Sequence, residues 1–445
     1  MLNIFGSAQS GFCDRQSRRN FIKVGALGMG GLSLPQLLQA EREAKNGRSH
    51  KAVIMIYLPG GPPHQDMYDL KVDAPSNIRG EFSPISTNVP GIRICEHLPR
   101  MAAMADKLVF VNSLVGSIGQ HASFQCTTGR SSNNQPAGGW PELGTVISRL
   151  QGEKKQTVPN YVNLSPKMKH TPYNFGKNSF VGVGHRAFMP SGETKSDMTL
   201  QGITMERLED RRALLRSFDG LRRNLDASGM MEGLDAFQEE AFDLLTSSRL
   251  LEALDLSKED PKVRERYGKG TTKVQGDAAP RMNEQFLVAR RLVEAGARVV
   301  TVSYSFWDWH GSNFSRAKDN FPDFDRALTA LVDDLHDRGM DEDTTVIAWG
   351  EFGRTPTINE KAGRDHWPRV ANALLACGGM RTGQVIGTTD RLGGEADERP
   401  VHFQEMFATL YHNMGIDINK ATLPDLSGRP QFLVDTEHQP LPEVI

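Results

Sequence analysis

The stretch "KAVIMIYLPGGPPHQD", residues 51–66, decides the fold. Its first eight residues are almost all apolar, with no polar alternation. A run like this suits a central strand of a parallel sheet, because helices cover both faces of such a strand. It stops at Pro59-Gly60-Gly61-Pro62-Pro63, where neither strand nor helix continues, and then sets down His64 and Asp66. Open α/β sheets build their sites just beyond the carboxyl ends of their strands.

Outward from this strand the chain alternates. "VFVNSLV" (109–115), "VPNYVNLS" (158–165), "ARVVTVSYS" (297–305) and "DTTVIAWG" (343–350) read as strands. "EHLPRMAAMADKL", "GWPELGTVISRL", "RMNEQFLVARRLVEAG" capped by Gly296, "FDRALTALVDDLHDRG" and "VHFQEMFATLYHNMG" read as helices. Strands alternating with helices predict an α/β fold with a parallel or mixed sheet covered on both faces. From about 205 to 267 the apolar residues recur at helical spacing, partly broken by Gly229 and Gly233. That segment predicts a helical insertion or cap on the sheet.

The chain has 445 residues with a formal net charge of −2, so neither nucleic acid nor an anionic membrane is implied as a partner. A 38% hydrophobic and 24% charged composition is that of an ordinary globular protein. The four cysteines, Cys13, Cys95, Cys126 and Cys377, form no C-x-x-C pair, which argues against a disulfide framework or a cysteine zinc site. Near the start, "SRRNFIKVGALGMGGLSLPQLLQA" places Arg18-Arg19 before a mild, glycine-dotted apolar run. It is too weakly apolar for a comfortable membrane span and has the layout of an export signal. Arg18-Arg19 with Phe21, Ile22 and Lys23 resembles the twin-arginine signal, so residues 1–40 are expected to be a leader. Leu38-Gln39-Ala40 is a poor cleavage site, so the segment is either cut near Glu41 or kept as an anchor. The expected partner is the twin-arginine translocase, and the expected location is the periplasm or cell envelope. This route carries proteins already folded, often with a cofactor loaded.

Four strand ends carry chemistry. The first holds His64, Asp66 and Asp69. The second, "SFWDWHGSNF", holds Asp308 and His310 between tryptophans, with Asn313 beyond. An Asp-x-His pair suits zinc or manganese; the plainer alternative is a buried Asp–His pair that caps a helix. The third, "VIAWGEFGRTP", brings Glu351 and Arg354, and the fourth, "GRDHWPRV", brings Arg364, Asp365 and His366. Carboxylates and histidines at several ends of one sheet are what a metal hydrolase needs. Arg354 or Arg364 can present a fork to phosphate or sulfate.

"GGPPHQDMYD", "PGIRICEHLPRMA", "ARRLVEAG", "WDWHGSNF", "GEFGRTP", "GRDHWP" and "GQVIGTTD" follow one another from residue 60 to 390. Together they resemble a large bacterial domain-of-unknown-function family, often with twin-arginine leaders, placed in the alkaline phosphatase and sulfatase superfamily. The resemblance implies an α/β/α sandwich over residues 50–435 and a divalent metal, zinc first, with manganese or calcium as alternatives. Carried over residue by residue, Asp66 is the early acidic ligand, with His64 competing for that role. Asp308 and His310 are the middle pair, Glu351 stands where the superfamily has Asp, Phe352 where it has His, and His366 is the late histidine. Before Thr128-Gly129-Arg130 the modified-cysteine position falls near Gly119, with neither Cys nor Ser there, and Cys126 lies too close to take that role. A formylglycine sulfatase is therefore not expected. Ser123 beside His121 is the candidate nucleophile and base, with Arg354 as anion holder; His121 as a metal ligand is the alternative. The expected function is a metal-dependent hydrolase of phosphate or sulfate esters. The alternative is a non-catalytic, metal-containing envelope protein that binds anionic polysaccharide or a partner.

Overall fold

The first strand, β1 (Ala52–Tyr57), is buried along its whole length. Consecutive strand residues face opposite sides, and here both sides are core. Ala52, Ile54 and Ile56 enter one apolar cluster, and Val53, Met55 and Tyr57 enter the other. That is why the sequence shows a continuous apolar run instead of alternation.

The computed structural model describes residues 51–152, 158–190 and 248–445. The expected leader, and the part of the expected helical insertion from 205 to 247, lie outside the described residues. The remainder of that insertion contains the helices Ser248–Leu254 and Pro261–Tyr267.

Seven more strands complete the sheet: β2 (Leu108–Val115), β3 (Tyr161–Asn163), β4 (Val299–Ser303), β5 (Thr344–Trp349), β6 (Ala371–Cys377), β7 (Gln384–Ile386) and β8 (Val401–His402). Their order is β7-β2-β6-β5-β1-β4-β3, with β8 also pairing β2. All neighbours are parallel except β6, which runs antiparallel to both β5 and β2. The expected α/β architecture, with a mainly parallel central sheet covered on both faces, is the one observed. On one face lie α2 (Glu284–Ala295) and α3 (Asn313–Asp337), and on the other α1 (Leu143–Gln151) and α4 (Phe403–Asn413). The apolar spacing alone suggests that α3 begins at Phe324. It begins eleven residues earlier and runs through Pro322, where buried Phe314, Ala317, Phe321 and Phe324 hold the extra turns on the core. Residues 51–445 form one unit, and it extends past the expected boundary at 435, since Leu441 and Val444 are fully buried. Cys95, Cys126 and Cys377 are unpaired and buried. Among the described residues no helix is long and apolar enough to cross a membrane.

The antiparallel strand shapes the carboxyl edge. Parallel strands leave the sheet at that edge, whereas β6 starts there. Residues just before β6 therefore meet those just after β1, β2, β4 and β5.

Candidate metal centre

Beyond β4 the chain reads Trp307-Asp308-Trp309-His310, and successive residues face opposite ways. Trp307 and Trp309 are buried, 0% and 2% exposed, and stack with ring centroids 5.1 Å apart. Their indole N–H groups donate to the Tyr304 and Phe306 carbonyls at 2.8 and 2.7 Å. Asp308 and His310 are thereby turned outward on a braced segment. Ser305 and Ser312, at either end of it, hold left-handed backbone with φ of 63° and 54°. The glycine pair after β1 lets three loops meet: a Cβ on Gly60 would lie 2.4 Å from the Asp308 nitrogen, and one on Gly61 2.5 Å from the Phe352 oxygen. His366 arrives from the β6 side, in a two-residue antiparallel ladder that sets it opposite Arg354.

Four side chains converge here: His121, Asp308, His310 and His366 each offer a ligand atom, all within 4.8 Å of one another. Asp308 Oδ1 lies 2.9 Å from His310 Nε2 and 3.1 Å from His366 Nε2, and Oδ2 lies 3.3 Å from His121 Nε2. The Nε2 atoms of His310 and His366 are 3.0 Å apart. Phe352, fully buried, lies under both His366 and His121, with ring centroids 4.5 and 5.1 Å away.

The electrostatics favour an ionised Asp308. Burial opposes its charge, but hydrogen bonds from His121 and His366 and the Arg354 guanidinium override that and hold the carboxyl well below the usual range. Burial likewise opposes a charge on His121, yet hydrogen bonds and charge from Asp308 and Glu351 push its pKa up to about 9.

The structure places the other expected residues differently. Asp66 is buried and bonded at both oxygens: Arg364 grips it from Nε at 2.7 Å and Nη2 at 2.8 Å, and Asn313 donates to it at 2.8 Å. It is thus the partner of a buried guanidinium, not a member of the four. The same contact removes Arg364 as an anion fork. His64 is fully buried, with Nε2 3.3 Å from the Gly393 carbonyl. Glu351 lies behind the centre: Oε1 accepts from the Gly60 N–H at 2.9 Å and sits 3.3 Å from His121 Nδ1. Arg354 is 1% exposed and donates to the carbonyls of Gly60, Gly61, Trp307 and Arg364 and to Asp308 Oδ1. It positions Asp308 and presents no free fork. Ser123 is buried, its hydroxyl pointing at the Pro172 and Asn174 carbonyls at 3.4 and 3.2 Å. His121, expected as its base or alternatively as a metal ligand, belongs to the cluster. Sequence patterns offer little sign of Tyr173, whose hydroxyl lies 2.8 Å from His121 Nδ1, or of His170, whose ring packs 5.5 Å from that of His121. The polar segment "KHTPY" that holds both follows a short strand and carries no motif.

A mainly parallel α/β sheet with a His/Asp centre at its carboxyl edge defines the class. Within it, the chain belongs to the DUF1501 family, described as protein of unknown function, which matches residues 50–445. No curated protein matches the chain. Among solved structures, Ps i-CgsB in complex with k-i-k-neocarrahexaose is 10% identical at a TM-score of 0.37, over 83% of this chain and 72% of its own. The PsFucS1 sulfatase from Pseudoalteromonas sp. is 13% identical at 0.35, over 86% and 70%. The alkaline phosphatase from the Antarctic bacterium TAB5 is 11% identical at 0.32, over 82% and 98%. These likenesses are loose, and no activity passes from them to this chain.

Proposed function

We propose that this chain is a metal-dependent hydrolase of phosphate or sulfate esters, exported to the periplasm or cell envelope. The observation that carries the reading is the convergence of three imidazole Nε2 atoms on one ionised carboxylate, with His310 and His366 Nε2 atoms 3.0 Å apart. Two lone pairs facing each other at that distance repel unless a proton or a cation lies between them. The donor set fits a borderline ion: three nitrogens and a carboxylate suit zinc or manganese, and such a nitrogen-rich set argues against calcium. A divalent cation held there would polarise an ester oxygen and lower the pKa of water.

The chain's own residues do the rest. Arg354 holds Asp308 ionised and aimed, and Glu351 and Tyr173 flank His121 from behind. Phe352 excludes water from beneath the imidazoles. The segment carrying His170 and Tyr173 runs from Leu164 to Pro190 with Lys167, Lys169, Lys177 and Arg186 and no acidic residue. Lys167 and Lys169, within three residues of His170, carry the sign of charge that suits an anionic ester. Because the Ser117 and Ser123 hydroxyls both face backbone carbonyls, water is the nucleophile this reading requires.

One observation favours the second reading, a non-catalytic metal protein of the envelope: four protein donors can close a tetrahedral ion, as in structural zinc sites. Against it, His310 is 46% exposed and leaves the centre open on one side. A screen of phosphate and sulfate esters with the zinc- and manganese-loaded protein separates the two. Turnover that His366→Ala abolishes supports the hydrolase; full metal loading with no turnover of any ester supports the second reading.

A further inference from the structure

We propose that Asp365 is a positioning residue of this centre, fixing His310 in the tautomer that turns its Nε2 lone pair toward Asp308 and His366. The inference rests on the metal reading for its purpose but not for its geometry. Asp365 Oδ1 lies 2.6 Å from His310 Nδ1, close enough for that nitrogen to donate a proton to the carboxylate. With Nδ1 protonated, a neutral imidazole has its lone pair on Nε2, the atom in the cluster.

The loop that carries Asp365 is built to hold it there. Asn359 Nδ2 bonds the His310 carbonyl at 3.1 Å and reaches both Asp365 oxygens at 3.3 Å. Its Oδ1 accepts the N–H groups of Lys361 and Gly363 at 3.0 and 2.9 Å. The Asp365 N–H donates to Thr355 Oγ1 at 2.9 Å. Main-chain bonds then zip this loop to the one carrying His310: Ser312 to Lys361 at 2.9 Å, Asn313 to Ala362 at 2.8 Å and Arg364 to Trp309 at 3.1 Å. Gly363 permits the approach, since a Cβ there would lie 2.2 Å from the His310 carbonyl carbon. One short loop thus supplies a member of the centre, His366, and the group that orients another.

The test uses the full chain labelled with 15N-histidine, the His310 signals being assigned by their loss in His310→Gln. In the metal-free wild type, the nitrogen shifts should show a protonated Nδ1, and in the zinc-loaded protein a protonated Nδ1 with no proton on Nε2. Asp365→Ala should shift the population toward the other tautomer. Zinc affinity, measured by competition with a chromophoric chelator, should fall by about 10- to 100-fold. Asp365→Asn, which keeps the size and the Thr355 contact, should fall between the two. Thr355→Ala loosens the same loop without touching the carboxylate and should leave tautomer and affinity as in the wild type. The proposal is overturned if wild-type His310 Nδ1 carries no proton, or if Thr355→Ala reproduces the Asp365→Ala effect. It is also overturned if the wild type binds zinc and Asp365→Ala binds it equally well. If the wild type binds no zinc, the metal reading fails, and the tautomer comparison alone still decides the role of Asp365.

Discussion

At the scale of single residues, the centre is divided between groups that face it and groups that brace it. Asp66 and Asp308 look alike in sequence, each an acid after a strand beside a histidine. Their surroundings separate them. Asp308 keeps one oxygen on Arg354 and turns both toward imidazoles, whereas Asp66 is filled by Arg364 and Asn313. Asp66→Asn should therefore lower stability by about 3–5 kcal/mol in denaturant melts, because it leaves the Arg364 guanidinium buried without its counter-charge. Metal content should stay at the wild-type level; a loss of bound metal without a loss of stability would return Asp66 to the centre. That Asp308, His310 and His366 belong together was legible from the D-x-H spacing and, for His366, from the family resemblance. That Glu351 stands behind His121 was not, because a carboxylate's role depends on which neighbours already occupy its oxygens, and those neighbours here are 230 and 291 residues away in the chain.

At the scale of elements, the reversed strand β6 makes the site. It starts at the carboxyl edge just after His366, so a late histidine joins residues that follow β2 and β4. β1 to β5 were readable because burial on both faces leaves unbroken apolar runs; β6, β7 and β8 were not read, and nothing in "ANALLAC" declares its direction. The short helix after β1 (His64–Met67) is wholly buried and takes His64 out of water. Burial there lowers the His64 pKa to about 3. The unfolded chain, with an ordinary histidine pKa of about 6.5, then binds the proton that the folded chain refuses. Stability is complete above that unfolded value and falls as pH drops from about 6.5 toward 3, by up to about 5 kcal/mol at roughly 1.4 kcal/mol per unit. Thermal melts across this range should show a slope in the wild type that flattens in His64→Gln. An equal slope in both would place His64 outside the acid response.

At the scale of the whole molecule, two apolar cores sandwich one sheet, and the centre opens at a single edge of it. The order of strands and helices was enough to foretell this architecture. The identity of the four converging residues was not readable in that way, since His121 comes from a loop after β2 whose reach no local pattern reports. The expected leader belongs to this scale as well. Replacing Arg18-Arg19 by Lys-Lys should leave the folded protein in the cytoplasm, as cell fractionation would reveal, and unchanged export would remove the twin-arginine assignment. Above all, His121, Asp308, His310 and His366 are assigned to hold a metal ion. Elemental analysis of protein purified without chelator, wild type beside His366→Ala, tests that assignment most directly. The expected result is a stoichiometric divalent ion, zinc or manganese, in the wild type and its loss in the variant while the sheet stays folded. A wild type that takes up neither ion, or a variant that retains it in full, would contradict the assignment.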